Sequence, residues 1–142
     1  MSKSDGLENG LLKLIFQAVD YANIADDTIT AALTNLQISL HTGDPGEAGT
    51  QATNETAYGL YARIPVGRTT TGWLVTGSTA YPRSNITFAT PTSGSGTISF
   101  FGIGSATSGA GVLYYSGTVT PNITISTGIT PVLTTGSNIT ED

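Results

Sequence analysis

Residues 36–47, LQISLHTGDPGE, stand between a helical beginning of the chain and a β-rich remainder. The first half of this stretch alternates between apolar and polar side chains, a period of two that is typical of a strand with one buried face. Asp44, Pro45 and Gly46 are then predicted to form a turn, because Asp bonds to nearby backbone, Pro fixes φ and Gly tolerates a positive φ. The segment therefore predicts a half-buried strand that ends in a structured turn, with His41 on the polar face of the strand.

The chain after this strand carries the features of an all-β domain. A polar loop, residues 42–56, is longer than a simple hairpin needs, and loops of that length are usually functional or mobile. A strand over residues 61–68 follows, where Pro65 indicates an edge position because proline lacks a backbone donor. Further short β-rich segments recur about every 8 to 12 residues between Gly, Pro, Ser and Asn. They cover residues 72–76, 85–89, 97–103, 112–116, 119–125 and 129–133, with a short terminal pairing at 138–140.

This spacing predicts the fold class and the division of the chain. Short antiparallel strands separated by turn residues are typical of an all-β, two-sheet β-sandwich of the jelly-roll type rather than of parallel βαβ units. The large residues expected in its core are Trp73, Phe88, Phe100 and Tyr114. The sequence thus predicts an N-terminal helical arm and linker over residues 1–35 and a β-sandwich domain over residues 36–142.

The arm contains an apolar helix. Asn9 is expected to cap it, and the pattern continues to Ala22 with only a narrow polar stripe, so the helix requires burial over most of its circumference. Two arrangements fit this pattern: the helix packs on the open face of its own sheet, or it docks on another subunit. The residues predicted to form such an interface are Leu11, Leu12, Ile15, Phe16 and Val19. Residues 23–34 show no sustained period and are predicted to be a linker with about one turn of helix.

Length and cysteine content limit the available chemistry. With 142 residues the chain is most simply one body that can bury a core, and with no cysteine it offers no disulfide framework, thiolate metal site or cysteine nucleophile. Its first residues are polar, and the apolar run over residues 11–19 is short and interrupted by Lys13 and Gln17. We therefore expect no signal peptide and no membrane-spanning helix, and a chain that is made and kept in soluble form.

The amount and placement of charge exclude one class of partner. Five Lys and Arg residues against ten Asp and Glu residues give a net charge of −5, which does not suit a phosphate backbone, so we expect no nucleic-acid partner. Over residues 56–140 the charged residues are Arg63, Arg68 and Arg83 alone. Because roughly a quarter to a third of a free surface is normally charged, this neutral, hydroxyl-rich composition favours a fibre, a shell or a secreted protein.

No set of residues indicates an enzyme. His41 lies three residues before Asp44 and six before Glu47, but such spacing on a loop is unspecific for a metal or a catalytic pair, and the turn explains Asp44 better. No serine lies in a Gly-x-Ser-x-Gly elbow, and the Gly102–Gly104 segment lacks the third glycine and the following helix of a dinucleotide fingerprint. We expect no catalytic residue, no cofactor and no metal.

Adjacent aromatic residues leave a binding function open. The pairs Tyr114–Tyr115 and Phe100–Phe101 can offer rings for carbohydrate stacking, although neighbouring strand residues point to opposite faces, so one of each pair is expected in the core. A lectin-like role is therefore a minor alternative, because exposed aromatic rings and neutral polar loops can bind sugars.

Several segments together resemble a known family. They are residues 23–26 (NIAD), 33–36 (LTNL), 39–47 (SLHTGDPGE), 61–63 (YAR), 101–104 (FGIG) and 139–142 (ITED). Through these segments, of which LHTxDPGE is the most recognisable, nearly the whole chain resembles a family of small virion proteins of tailed bacteriophages that are labelled head-decoration or tail-fibre-like proteins.

The resemblance implies a non-enzymatic structural protein of the virion, made in the host cytoplasm. The first expectation is a capsid decoration (cement) protein on the outer head surface, usually a homotrimer, which binds itself and the major capsid protein or neighbouring virion proteins, and neither nucleic acid nor a membrane. The single-domain size and the lack of fibre repeats or heptads favour this role. The alternative is a tail-fibre or tail-associated, adhesin-like protein that binds a host-surface glycan. The sequence leaves the symmetry site and the copy number open.

Overall fold

A computed structural model of the chain describes residues 5–20 and 33–141. It contains one helix and nine strands within these residues. They are α1 Asp5–Gln17, β1 Asn35–His41, β2 Ile64–Gly67, β3 Trp73–Thr76, β4 Thr79–Pro82, β5 Ile86–Thr87, β6 Gly96–Gly104, β7 Leu113–Ile125, β8 Val132–Leu133 and β9 Ile139–Thr140. None of the described helices has the length and apolar character that a membrane span requires.

The described strands form three sheets, with the orders β2-β1-β6-β7, β3-β4-β9 and β5-β8. The pairs β1–β6, β6–β7, β3–β4, β4–β9 and β5–β8 are antiparallel. The prediction of a mostly β, antiparallel chain with a helix is therefore confirmed, whereas the two-sheet jelly-roll arrangement stays a prediction. β2 lies at the edge of its sheet, as Pro65 indicates.

The chain divides into two compact units, each built from separate parts of the sequence. The first unit comprises Met1–Asn35, Gly67–Asn85 and Thr134–Asp142, and the second comprises Leu36–Val66 and Ile86–Leu133. The sequence-based division into residues 1–35 and 36–142 stays a prediction.

In the first unit, α1 packs on the β3–β4 hairpin. Leu12 and Phe16 are fully buried, and the ring of Phe16 meets that of Trp73 edge to face, with centroids 4.5 Å apart. Asn9 Nδ2 donates a hydrogen bond of 2.6 Å to the carbonyl oxygen of Gly77. The prediction of Asn9 as the N-cap is wrong, because the helix begins at Asp5 and Asn9 lies within it.

The predicted interface residues differ in exposure within this unit. Leu12 and Phe16 face the sheet of their own chain, whereas Val19 is 46% exposed, and Leu11 and Ile15 are half-buried. Their role in an interface with another subunit stays a prediction. The prediction that the helix continues to Ala22 is wrong, because α1 ends at Gln17 and residues 18–20 are not helical. Ala22 itself and residues 23–32 of the predicted linker lie outside the described residues.

The end of α1 is fixed by backbone geometry and by Arg68. Ala18 adopts φ 53°, in the left-handed region that commonly ends helices, and Val19 N donates to the Lys13 carbonyl over 3.2 Å. The guanidinium of Arg68 donates to the carbonyls of Leu14 and Ile15, which are among the last four of the helix and have no partner within it. The positive charge also suits the negative end of the helix dipole.

In the second unit, β1 is covered on both faces. Every residue of the strand after Asn35 is buried, so the prediction that the strand is half-buried is wrong. His41 does share the polar face with Ser39, but that face is buried. The reason is that residues 42–56 fold back over the polar face of β1. His41 Nδ1 donates to the Thr53 carbonyl, and Gln51 Nε2 donates to the Gln37 carbonyl.

Two of the four predicted core aromatics are in the core. Trp73 and Phe88 are buried, but Phe100 is half-buried and Tyr114 is 41% exposed. The register between β6 and β7 shifts twice, between Ile98 and Phe100 and again between Ile103 and Gly104. Such β-bulges change which residues face the core, and the sequence period alone does not show them.

Candidate functional site

The only histidine of the chain is held at both ring nitrogens. His41 Nδ1 lies 2.8 Å from the carbonyl oxygen of Thr53, and His41 Nε2 lies 2.8 Å from Ser39 Oγ. Because a carbonyl oxygen can only accept, Nδ1 carries the proton, and the Ser39 hydroxyl donates to Nε2. The neutral ring therefore ties β1 to the loop that covers it.

This Ser-His pair is sealed inside the protein. Ser39 and His41 are both 0% exposed, and a Cβ atom added at Gly102 would lie 2.6 Å from His41 Nε2 and 2.7 Å from Ser39 Oγ. Burial lowers the pKa of His41, and the hydrogen bond to Thr53 only partly opposes this effect. The pair is arranged to hold the loop, and the space beside it admits no substrate.

An ion pair joins the same loop to a second loop. Arg63 binds Glu55 through two parallel hydrogen bonds of 2.7 Å, from Nε to Oε1 and from Nη2 to Oε2. Two further donors, on Nη1 and Nη2, reach the carbonyls of Ala106 and Gly109 at 2.8 and 2.7 Å. The hydrogen bond to Glu55 raises the pKa of Arg63, although burial acts against it. Arg63 is thus occupied by contacts within the protein and is only 6% exposed.

Tyr61 extends this cluster to β1. Its hydroxyl donates to Glu55 Oε1 over 2.9 Å and accepts a hydrogen bond of 3.0 Å from the backbone N of Leu40. Burial, together with the adjacent Glu55 carboxylate, raises the pKa of Tyr61 well above its usual range. The tyrosine therefore stays protonated and joins β1 at Leu40 to the end of the covering loop at Glu55.

Gln51 completes the attachment of the loop. Its side chain is fully buried, donates to the Gln37 carbonyl over 3.3 Å and accepts from Ala106 N over 2.8 Å. A Cβ atom at Gly104 or Gly111 would collide with Gln51, so glycine is needed at both positions. Residues 42–56 are therefore a fixed layer over the sheet, although their length and composition suggested a mobile or functional loop.

The turn predicted at Asp44, Pro45 and Gly46 starts this layer. Asp44 Oδ1 accepts a hydrogen bond of 2.9 Å from Gly46 N, and Gly46 has φ 72°. Asn54 Nδ2 donates to the Asp44 carbonyl over 2.8 Å. The carboxylate of Asp44 is thus held in one orientation at the surface.

A groove lies between this turn and the edge strand β7. Its volume is about 440 Å³, and its lining residues are Asp44, Gly46, Glu47, Leu113, Tyr114, Tyr115 and Ser116. The β6–β7 register shift between Ile103 and Gly104 lies opposite the β7 wall. The groove therefore combines two carboxylates, a serine hydroxyl and tyrosine rings, which are the groups that recognise hydroxylated ligands.

The predicted site residues are only partly brought together. Asp44 and Glu47 line the groove, but His41 is buried elsewhere beneath Gly102. Across residues 5–20 and 33–141, no group of three or more His, Cys, Asp or Glu side chains could hold a metal ion. His41 therefore does not form a site with Asp44 and Glu47.

Sequence reasoning missed the Arg63–Glu55 pair and the role of Gln51. One signal pointed to the pair: Arg63 is among three charged residues between residues 56 and 140, and Glu55 is the acid that directly precedes this neutral stretch. A buried arginine needs a counter-ion, and this acid is near in sequence. Gln51 gave no comparable signal, because its partners are backbone atoms.

A comparison with protein families gives one match. The family described as "Podophage GP4 fiber I protein gp80" matches residues 2–140 of the chain. No curated protein matches it. The special place of the LHTxDPGE segment within the family stays a prediction.

Proposed function

Because the chain belongs to the family of podophage GP4 fiber I protein gp80, we propose that it is a non-enzymatic fibre component of a tailed-phage virion. The single observation that carries this proposal is the family match over residues 2–140, which includes the helix and both units. Membership supports a phage structural protein, and the word fibre in the family description favours the tail.

The use of charge in the structure supports a structural role. Arg63 is occupied by Glu55 and two carbonyls, Arg68 holds the end of α1, and Arg83 Nε donates to the Thr70 carbonyl. The cations in residues 56–140 thus serve internal contacts, and Thr and Ser dominate what remains at the surface. A surface that is nearly uncharged over residues 56–140 suits a protein whose neighbours are other virion proteins.

Capsid decoration is the second candidate. It is favoured by the length of 142 residues and by the lack of fibre repeats and heptads in the sequence. In this role the protein would bind the major capsid protein on the outer head surface. In either role we propose that it assembles as a homotrimer and binds neither nucleic acid nor a membrane.

The proposal is tested on phage particles with and without the gene. Mass spectrometry of purified virions should detect the protein at a fixed copy number, and particles that lack it should show altered fibres with intact heads in negative-stain images. A protein that occurs only in infected cells and never in purified particles would contradict a virion role. Particles that lack it and have normal fibres but unstable heads would support decoration instead.

A further inference from the structure

We propose that the groove between the Asp44 turn and β7 binds a saccharide that carries no negative charge, either a neutral sugar or one with a free amine. This inference rests on the proposed fibre role, because a fibre meets the cell surface. It names the site and the ligand class that such a contact would use.

The size and position of the groove suit a small ligand. Its volume of about 440 Å³ lies in the range of roughly 300–1,000 Å³ that is usual for ligand pockets. One wall is the turn at residues 44–47, and the other is residues 113–116 of β7. Because β7 is an edge strand, the groove is not closed by a further strand of its sheet.

The acidic wall is held in a fixed shape before any ligand arrives. Asp44 Oδ1 is bonded to Gly46 N, which leaves the second carboxylate oxygen to accept from a ligand. Asn54 holds the Asp44 backbone, and His41 and Gln51 anchor the layer behind it. A wall that is already ordered loses little entropy on binding, which favours affinity.

The aromatic wall presents a ring and a hydroxyl. Tyr114 is 41% exposed and lies at the β-bulge, since Ile103 pairs with Tyr115 and Gly104 pairs with Leu113. A bulge re-aims side chains, often at functional sites. The ring offers a flat apolar face to the C–H face of a sugar, and Ser116 offers a hydroxyl beside it.

The charge of the groove selects among sugars. Asp44 and Glu47 contribute two carboxylates, and no Lys or Arg is among the lining residues. Carboxylates accept hydrogen bonds from hydroxyl and ammonium groups but repel carboxylate, phosphate and sulfate groups. The groove therefore favours neutral and amine-bearing saccharides and disfavours acidic ones.

The test uses the full chain on an array of bacterial surface oligosaccharides that includes neutral, amine-bearing and acidic members. We expect the ligands to come from the neutral or amine-bearing groups, and amine-bearing ligands should weaken as salt is raised, because salt screens exposed charges. Binding only to acidic sugars, or to no sugar on the array, would overturn the inference.

Groove variants then locate the site by titration calorimetry with the strongest array ligand. Tyr114→Ala should weaken binding by about tenfold or more, whereas Ile129→Ala, which removes an exposed apolar residue outside the groove lining, should not. The double variant Asp44→Asn, Glu47→Gln keeps the turn, since Asn also forms it, and should reduce the discrimination against acidic sugars. Asp20→Asn, which removes one exposed carboxylate outside the groove lining, is the control for loss of negative charge. Equal effects of groove and control variants would contradict this site.

The test of sugar binding can fail without the test of the fibre role failing, and the reverse also holds. A protein that is present in the fibre but binds no sugar would refute the groove assignment and leave the fibre role in place. A protein that binds sugars through the groove but is absent from virions would refute the fibre role.

Discussion

His41 carries a consequence for pH dependence. Burial holds its pKa below the ordinary value of 6.5, so between its folded and unfolded pKa values the unfolded chain binds more protons than the folded chain. Stability then rises with pH through this window and falls as the pH drops below about 6.5. Urea unfolding at pH 5 to 8 should show a steeper loss toward low pH for the natural protein than for His41→Gln. Parallel curves for the two proteins would contradict the assigned neutral ring.

A second prediction compares Arg63, which is buried in an ion pair, with Arg83, which serves as its exposed control. Arg63→Met removes the partner of Glu55 and two carbonyl contacts, and breaking a buried ion pair from one side costs about 3 kcal/mol or more. Arg83 is exposed, so Arg83→Met should change the free energy of unfolding by less than about 0.5 kcal/mol. The urea midpoints of the two variants measure the difference, and equal midpoints would show that the Arg63 cluster adds no stability.

At the scale of residues, the sequence was informative where a local rule applied. The turn chemistry of Asp44, Pro45 and Gly46 follows from residue type alone, and Trp73 and Phe88 were placed in the core by size. Tyr114 was misplaced because a bulge in the β6–β7 pairing changes its direction, and pairing between strands distant in sequence cannot be read from a local period.

Among the elements, β1 and α1 differ from their predictions for physical reasons. The alternation in β1 predicted a half-buried strand, but a polar face can also be buried when every polar group finds a partner. Ser39 and His41 do so beneath residues 42–56. The start of α1 was misjudged because Asn9 resembles a cap, whereas its side chain bonds across to Gly77.

The packing of α1 gives a prediction with a direct optical readout. The chain contains one tryptophan, and Trp73 is buried against Phe16. Phe16→Ala should cost about 3–5 kcal/mol and shift the tryptophan emission to longer wavelength as water reaches the ring. Val19→Ala, at a residue that is 46% exposed, is the control and should leave the emission unchanged. An unchanged spectrum in Phe16→Ala would show that the helix does not cover Trp73.

For the whole molecule, the class of protein could be predicted from composition, whereas the arrangement of the sheets could not. The near absence of charge over residues 56–140 predicted a covered or hydroxyl-rich exterior, and the family match agrees with a virion protein. The number of sheets and the two-unit organisation were beyond the sequence, because both depend on contacts between segments far apart in the chain.

The nearly uncharged part of the chain leads to a prediction of self-assembly. Residues 56–140 contain only three charged residues, and a surface depleted of charge suits the core of an interface between copies, so we expect a homotrimer at about tens of micromolar protein. Sedimentation equilibrium should give a mass three times that of the 14.5 kDa chain, with little dependence on salt because few ion pairs are available to such an interface. A strict monomer over this concentration range would refute the prediction.

The location of the protein on the intact phage tests the central claim most directly. Antibodies against the purified chain, visualised with gold in electron micrographs of whole virions, should label the fibres at the tail and leave the head surface unlabelled. Label spread over the head surface, with bare fibres, would contradict the fibre assignment and establish the protein as a head decoration.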